Sequence, residues 1–355
     1  ATVTEGTMAK LKTIAATGNK LSITISDTSV KADELVTVEA ASELVVDMSA
    51  VSTVTGTFAN LKSSYVTNKA GLSGIGNETL VASDATISIA NANELSAFST
   101  GLAKATIVDS TKAQLDVLTS SANEYAVTVT DASISAVDLN AISAKTTGLV
   151  TIDATTITGA LSDVRALYEA NEAGTVSALG NEAVIVSDTG TVNAADINFV
   201  NSNTSGAFTL NKATTITGTV DDVKATYAAY ASGTVTGLGN EAITIVDLGT
   251  TITTAVLNEL KALTTGSVTV SLSGTTIAAK DLNDLDANSS ETINAGGVTL
   301  ITGSVADVNQ AYAAGGITGL GNEAVTLSDT SITAAALKTL DGKTSGTINA
   351  ASAST

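Results

Sequence analysis

The sequence predicts an α/β fold: an elongated solenoid of about 13 coils, each made of a short parallel β-strand and a short helix, leucine-rich-repeat-like or β-helix-like. Three observations support this prediction. A Gly-Asn-Glu motif recurs along the 355 residues, and short helical patterns alternate with short strand patterns. The composition favours small and β-branched residues, with only 3% aromatic residues and no proline.

The Gly-Asn-Glu motif is the clearest sign of repetition. Its four copies are separated by 104, 59 and 82 residues, and a diverged copy, Gly18-Asn19-Lys20, lies 58 residues before the first. These spacings fit a base repeat into which a smaller repeat of about 23 residues is inserted a whole number of times, as the stacking of complete coils requires. We predict a structural turn with positive φ at Gly and Asn. The motif residues are Gly76, Asn77, Glu78, Gly180, Asn181, Glu182, Gly239, Asn240, Glu241, Gly321, Asn322 and Glu323.

One half of each small repeat carries apolar residues three positions apart, as at Leu337 and Leu340. Among Ala, Asp, Asn and Lys, that spacing predicts a short helix with one buried face. Ser or Thr ahead of the helix is typical of an N-cap. The glycine that follows, such as Gly266 or Gly346, predicts the end of the helix.

The other half alternates apolar residues with hydroxyl residues, as in Val127-Thr128-Val129-Thr130. This pattern predicts a strand with one apolar face. One strand and one helix per coil predict parallel pairing between coils, with helices covering the apolar side. A second type of helix places tyrosine four residues after an apolar residue, so that both face the core. These pairs are Leu61/Tyr65, Val164/Tyr168, Val223/Tyr227 and Val308/Tyr312.

The charge balance narrows the classes of partner. Sixteen basic residues, of which Arg165 is the one arginine, stand against 35 acidic residues, so the net charge is −19. This charge repels nucleic acid and anionic lipid, and we predict no nucleic-acid partner. No apolar run approaches the ~18 residues of a membrane span, and none is predicted.

The sequence predicts that the chain is not an enzyme. It has no histidine and no cysteine, which removes the Ser-His triad, the thiolate nucleophile and the usual zinc ligands. Its acidic residues recur about once per coil and do not gather in one place. Such repetition indicates an architectural role.

An aspartate that recurs just after the strand has two interpretations. It can end the strand as an Asx-turn or helix cap, which we favour. It can also form a calcium ladder between coils, because calcium takes six to eight oxygen ligands. No other cofactor is predicted. The candidate calcium residues are Asp27, Asp84, Asp131, Asp153, Asp188, Asp247 and Asp329, and Asp109 shares their position in the repeat.

Two segments carry a resemblance. Residues 319–333 read Gly-Leu-Gly-Asn-Glu-Ala-Val-Thr-Leu-Ser-Asp-Thr-Ser-Ile-Thr, and residues 344–350 read Thr-Ser-Gly-Thr-Ile-Asn-Ala. They resemble the tandem Thr/Ala-rich repeats of very large secreted or surface proteins of marine bacteria, cyanobacteria especially. The resemblance covers essentially the whole chain. It implies an extracellular, cell-surface or filament role.

Together these patterns predict that residues 1–355 form a single repeat solenoid, either a segment of a longer array or a filament subunit. Its expected role is that of an extracellular structural protein, such as a filament, surface-layer or adhesin-stalk component. It would associate with itself, end to end or laterally, through open sheet edges. The alternative is a glycan- or protein-binding solenoid module of an adhesin or viral fibre, with threonines such as Thr244 and Thr269 on its strand face.

Overall fold

The structure, a computed structural model, describes residues 1–14, 18–119, 122–247, 254–272, 276–288 and 291–352. These residues form 13 α-helices and five parallel β-sheets. The predicted α/β class with parallel strands is confirmed. The chain divides into two compact units: unit 1 comprises residues 1–158 and 166–182, and unit 2 comprises residues 159–165 and 183–355.

In unit 1, short helices alternate with strands of two to six residues. Helices α1 to α6 are Met8–Leu11, Ala32–Ala40, Phe58–Lys62, Ile89–Ser96, Lys112–Leu115 and Ala136–Ser143. A π-helix, Ser63–Thr67, continues α3, and a 3-10 helix follows at Lys69–Gly71. Strands β1 to β12 are Ile23–Thr24, Ser29–Lys31, Val46–Asp47, Thr53–Gly56, Leu72–Ser73, Thr79–Ala82, Ala103–Thr106, Glu124–Val129, Ser133–Ser135, Val150–Ile152, Thr156–Gly159 and Val176–Ser177.

Helix α7, Leu161–Glu172, contributes residues to both units. In unit 2, helices α8 to α13 are Ala194–Asn203, Val220–Ser232, Thr254–Lys261, Ala279–Asn288, Val305–Ala313 and Ala334–Asp341. Strands β13 to β25 are Ala183–Val186, Thr191–Asn193, Phe208–Thr209, Thr215–Gly218, Val235–Thr236, Ala242–Asp247, Val268–Leu272, Thr276–Ala278, Thr292–Asn294, Leu300–Gly303, Ile317–Thr318, Ala324–Leu327 and Ile348–Asn349.

Strand pairing in unit 1 joins successive repeats. One sheet has the order β1-β3-β5, another has the order β2-β4-β6-β7-β8-β10-β12, and β9 pairs with β11. The long strand β8 pairs with β7 through Glu124–Ala126 and with β10 through Val127–Val129. Along β8 the burial alternates, with Tyr125, Val127 and Val129 inside. The predicted alternation is therefore confirmed in this strand.

In unit 2 the register places like residues in rows across neighbouring strands. Two sheets have the orders β14-β16-β18-β19-β21-β23 and β20-β22-β24-β25, and in the fifth sheet β15 pairs with β13 and with β17. Ile216, Ile243 and Val268 lie opposite one another and are buried. On the other face, Thr244 pairs in register with Thr269. Identical positions of successive repeats therefore lie side by side, as the sequence predicts for these threonines.

The helices bury the predicted apolar stripes. Leu139 and Ile142 of α6 are at most 2% exposed, as is Leu340 of α13, whereas Leu337 is half-buried. The predicted N-caps are also confirmed. The side chains of Ser135, Thr219, Ser304 and Thr333 each accept a hydrogen bond from the third backbone amide of their helix.

The predicted helix-stop role of Gly266 and Gly346 is wrong. Helix α10 ends five residues before Gly266, at Lys261, and α13 ends at Asp341. Neither glycine has a positive φ. Their place in the structure is a close contact with the preceding repeat, described below.

Neighbouring helices of unit 2 are joined by asparagine side chains. The Nδ2 of Asn198 donates to the carbonyl oxygen of Asp222, and the Nδ2 of Asn283 donates to that of Asp307, both at 2.9 Å. The Oδ1 of Asn198 accepts from the hydroxyl of Thr226, the seventh residue of α9. The seventh residue of α12 is Ala311, and the buried Oδ1 of Asn283 has no hydrogen-bond donor among the described residues. A buried acceptor without a donor costs stability.

We expect Ala311→Ser to raise the free energy of unfolding by about 1 kcal/mol, because its hydroxyl can donate to Asn283. The reverse change at the equivalent site, Thr226→Ala, should lower it by about 1–3 kcal/mol. Urea denaturation measures both. Ala306→Ser, on the exposed face of α12, is the control and should change stability by less than about 0.5 kcal/mol. Equal effects of Ala311→Ser and Ala306→Ser would contradict this explanation.

Candidate functional site: repeated helix caps and Glu–Tyr clusters

The post-strand aspartates cap helices of the preceding repeat. The first backbone amide of a helix has no partner inside that helix, and a carboxylate there is further favoured by the helix dipole. In six repeats this amide donates to the Oδ2 of an aspartate 19 to 27 residues later in the chain. The pairs are Met8–Asp27 at 2.5 Å, Phe58–Asp84 at 2.6 Å, and Ile89–Asp109, Lys112–Asp131, Leu161–Asp188 and Val305–Asp329, each at 2.7 Å.

The capping interpretation is therefore confirmed for Asp27, Asp84, Asp131, Asp188 and Asp329, although the capped helix is the preceding one. Asp153 is exposed and shows no such contact. Asp247 ends β18, and its side chain lies outside the described residues.

Calcium binding stays a prediction. Where the structure describes the chain, no three acidic, histidine or cysteine side chains come together as metal ligands would. Each capping aspartate directs one carboxylate oxygen to a backbone amide. The function proposed below uses the aspartates as caps and does not depend on calcium.

We expect Asp188→Ala to lower the free energy of unfolding by about 1–2 kcal/mol, the usual range for losing a helix cap. Asp188→Asn keeps an acceptor oxygen and should recover part of this loss. The matched control is Asp153→Ala, which removes an exposed post-strand aspartate and should change stability by less than about 0.5 kcal/mol. Chemical denaturation of the three variants tests the assignment. It fails if Asp188→Ala costs no more than Asp153→Ala.

The Gly-Asn-Glu loops share a backbone conformation. Their glycines have φ values of 120°, 131°, 122° and 145°, which confirms the predicted positive φ at glycine. The predicted positive φ at asparagine is wrong, because Ala178 is the only non-glycine residue with positive φ in the described ranges. Ala178 lies two residues before the motif glycine, where the other copies have Gly74, Gly237 and Gly319.

The four motif glutamates are buried, with exposures of 0% to 2%. Burial of a carboxylate is costly unless hydrogen bonds replace its water. Here the motif glycine supplies one of them through its backbone amide. The amides of Gly76, Gly180, Gly239 and Gly321 donate to Glu78, Glu182, Glu241 and Glu323 at 2.8, 2.9, 2.7 and 2.8 Å.

A tyrosine hydroxyl donates the second hydrogen bond to each glutamate. The hydroxyls come from the tyrosine-bearing helices that precede the loops, and Tyr65 lies in the π-helix that continues α3. We call each glutamate with its tyrosine and its glycine amide a Glu–Tyr cluster. The pairs are Tyr65–Glu78 at 2.9 Å, Tyr168–Glu182, Tyr227–Glu241 at 3.2 Å and Tyr312–Glu323 at 2.8 Å. The prediction that these tyrosines face the core is confirmed, with Tyr312 half-buried.

In the clusters of Glu78, Glu241 and Glu323, the backbone carbonyl oxygen of the glutamate accepts a hydrogen bond from a hydroxyl of the next repeat. Ser99, Thr264 and Thr344 donate to the backbone carbonyl oxygens of Glu78, Glu241 and Glu323 at 2.7, 2.6 and 2.7 Å. Two residues further on are Gly101, Gly266 and Gly346, where an added Cβ would lie 2.1 to 2.3 Å from the same oxygens. These glycines are required by the close approach of two repeats.

Burial and the paired carboxylate raise the pKa of three of these tyrosines, Tyr65, Tyr227 and Tyr312. Burial, the charge of Glu78 and the hydrogen bond to it raise the pKa of Tyr65 above its usual value, and burial and Glu241 do the same for Tyr227. Burial is also the main cause that raises the pKa of Tyr312 to about 12. The folded chain therefore holds these protons where an unfolded tyrosine, with a pKa of about 10, releases them.

We expect the contribution of these tyrosines to stability to be constant below about pH 10 and to fall as the pH rises towards about 12, because the unfolded chain releases protons that the folded chain keeps. Each such tyrosine should contribute a slope of about −1.4 kcal/mol per pH unit. Urea denaturation between about pH 9 and about pH 11 measures this slope. Tyr227→Phe should make this slope shallower, whereas Tyr230→Phe, at a more exposed tyrosine whose ring meets that of Tyr227 edge-on, should change it by less. An unchanged slope in Tyr227→Phe would refute the assignment.

No family model and no curated protein matches this chain. In the described part of the chain, no helix is both long and apolar enough to cross a membrane.

The pairing of glutamate with tyrosine was not predicted from the sequence, although the sequence contains a signal for it. Each of the four tyrosine helices is followed by a Gly-Asn-Glu motif, with 11 to 14 residues from tyrosine to glutamate.

Proposed function

We propose that this chain is a structural repeat protein whose coils stack as a solenoid and which associates with itself. The observation that carries the proposal is that the same contacts recur between successive repeats. Strands pair in parallel with the next repeat, and aspartates cap the helix of the repeat before. Nearest-neighbour contacts of this kind are those that hold solenoid repeats together.

The proposed role is not catalytic, and the use of the acidic side chains supports this. The recurring carboxylates bind backbone amides and tyrosine hydroxyls, as Asp188 does at α7 and Glu241 does at Tyr227. These contacts are the same from repeat to repeat. An active site, by contrast, needs groups that differ from their counterparts in other repeats and converge on one substrate.

The proposed location is extracellular or at the cell surface, in a filament, a surface layer or an adhesin stalk. It is supported by the resemblance of residues 319–333 and 344–350 to Thr/Ala-rich repeats of large secreted bacterial proteins. The net charge of −19 would keep such a chain soluble, because like charges repel.

Self-association is proposed to use an open strand edge. Strand β25 pairs with β24 on one side, and on its other side no strand lies among the described residues. An unpaired edge of a parallel sheet accepts a further strand from another chain. Ile348 at this edge is only half-buried, so that pairing would also bury apolar surface.

Sedimentation and negative-stain electron microscopy of the purified chain test the proposal. We expect oligomers or fibres whose fraction rises with concentration. Ile348→Lys should reduce that fraction, because a charge on the edge opposes strand addition. Val137→Lys, at an exposed position of α6, is the control and should assemble as the unmodified chain does. Dispersed monomers at every concentration would reject self-association.

The alternative, a glycan- or protein-binding module, would use the exposed face of the strands. One observation favours it: Thr217, Thr244, Thr269 and Thr292 lie in one row across four neighbouring strands. Monomers that bind a glycan array, and lose this binding when Thr244 and Thr269 are replaced by Val, would support the module in place of the assembling structural protein.

A further inference from the structure

The Glu–Tyr clusters are unevenly spaced along the chain. The four buried glutamates are separated by 104, 59 and 82 residues. Helices α4, α5 and α6 lie between the first two, without a Glu–Tyr cluster among them. Their repeats are joined by strand pairing, apolar packing, aspartate caps such as Ile89–Asp109, and buried hydrogen bonds between neutral groups, such as that from Tyr125 to the carbonyl oxygen of Ala92.

A Glu–Tyr cluster resists partial disruption. If the tyrosine moves away while the glutamate is still buried, the carboxylate loses a donor in a place that water cannot reach. The carboxylate then keeps its glycine amide but lacks the tyrosine hydroxyl, and a charged group that is buried with too few donors is strongly destabilising. The cluster is therefore expected to open in a single step, together with the loop and the helix that form it. Glu78 already bears part of the desolvation cost of a buried carboxylate, because its Oε1 is buried with no hydrogen-bond partner in the described structure.

Repeats without a cluster can separate more gradually. Their strand pairs can break one or two backbone hydrogen bonds at a time, and a buried hydroxyl such as that of Tyr125 bonds a neutral carbonyl oxygen and not a carboxylate. In a chain of repeats, unfolding spreads from one repeat to the next until it meets a repeat or an interface of higher stability. Each Glu–Tyr cluster joins a helix to the loop that follows it, 11 to 14 residues later, and makes the repeat that contains it such a place.

We propose that the Glu–Tyr clusters divide the chain into blocks that unfold separately under tension, with boundaries at Glu78, Glu182, Glu241 and Glu323. A protein of this kind would lengthen under load in a few discrete steps and keep its remaining blocks folded. The use of the blocks in bearing load rests on the proposed structural role. The blocks themselves rest on the contacts alone.

The chain provides a matched pair of substitutions. Tyr227 donates its hydroxyl to the buried carboxylate of Glu241. Tyr125 is also buried, but it donates to the backbone carbonyl of Ala92, at 2.8 Å. Tyr227→Phe and Tyr125→Phe each remove one buried hydroxyl, and only the first takes a donor away from a buried carboxylate, leaving it the amide of Gly239. A difference between them isolates the Glu–Tyr cluster.

Single-molecule force spectroscopy, with the full chain held by its two ends, tests the proposal. We expect three internal steps of about 104, 59 and 82 residues, with extended lengths of roughly 350, 200 and 280 Å at 3.3–3.6 Å per residue, less the length of each folded block. Tyr227→Phe should replace the last two with one step of about 141 residues, with an extended length of roughly 480 Å. Tyr168→Phe should instead merge the first two, and Tyr125→Phe should leave all three.

Three results would overturn the proposal: steps of one repeat each, a single step for the whole chain, or the same step pattern in Tyr227→Phe as in Tyr125→Phe. If either cluster variant fails to fold, the other still tests the boundaries. The outcome is separate from the assembly test. If the chain stays monomeric but shows the three steps, self-association is rejected and the proposed blocks are supported. If the chain forms fibres but does not show the steps, the blocks are rejected and self-association is supported.

Discussion

Most of this structure depends on one constraint: polar groups that a repeat buries, or leaves without a partner, are satisfied by a segment outside their own helix. The amide of Leu161 at the start of α7 needs an acceptor that α7 cannot provide, and Asp188 supplies it. The carbonyl oxygen of Glu241 accepts a hydrogen bond from the hydroxyl of Thr264 in the next repeat. A single repeat therefore has neither a complete apolar core nor complete hydrogen bonding.

This constraint explains why the chain can be built from small side chains. Val, Ile, Leu and Ala bury little area each, and there are only four phenylalanines and six tyrosines. Four of those tyrosines are assigned to the Glu–Tyr clusters. Their rings add apolar area, and the hydrogen bonds from their hydroxyls offset part of the desolvation cost of a buried carboxylate. The large side chains are thus concentrated where two elements must be held in a fixed geometry.

Several surface ion pairs, like the aspartate caps, join an earlier helix to an acidic residue that comes later in the chain. In these pairs the base lies on the earlier helix and the acid on the later one. Lys12 on the α1 side contacts Glu34 of α2 at 2.8 Å, Lys62 of α3 contacts Glu94 of α4 at 2.7 Å, and Lys224 of α9 contacts Glu259 of α10. Exposed pairs of this kind contribute at most about 1 kcal/mol each. Because each of these pairs joins a base on one helix to an acid on the next, we infer that they help to specify which helices pack together. Their contribution to stability is small.

Local patterns were enough to predict the elements. The spacing of Leu139 and Ile142 predicted a buried helix face, the alternation in Val127–Val129 predicted a strand, and glycine predicted the positive φ of the loops. Each of these features is decided within a few residues. The parallel pairing followed from the alternation of one strand with one helix, which antiparallel hairpins do not fit.

Contacts between distant residues could not be predicted in the same way. The position of Asp188 suggested a local turn, because nothing in the sequence shows that a helix end 27 residues earlier lies beside it. Glu241 read as a polar loop residue, since charged side chains are seldom fully buried. Leu337 was expected in the core because its spacing matches Leu139, yet it is half-buried, since burial depends on what packs over a helix as well as on its own pattern.

The same constraint accounts for the spacing of the motif. An inserted segment must continue the strand rows, and where the repeats carry aspartate caps it must also supply the cap of the helix before it. A complete repeat does both, whereas a fraction of one would leave a helix amide such as that of Val305 without its aspartate and shift the strand register. A one-residue slip in register moves every side chain of a strand to the other face. Insertions of whole repeats are therefore favoured, in agreement with the distances of 59, 82 and 104 residues between the Gly-Asn-Glu motifs.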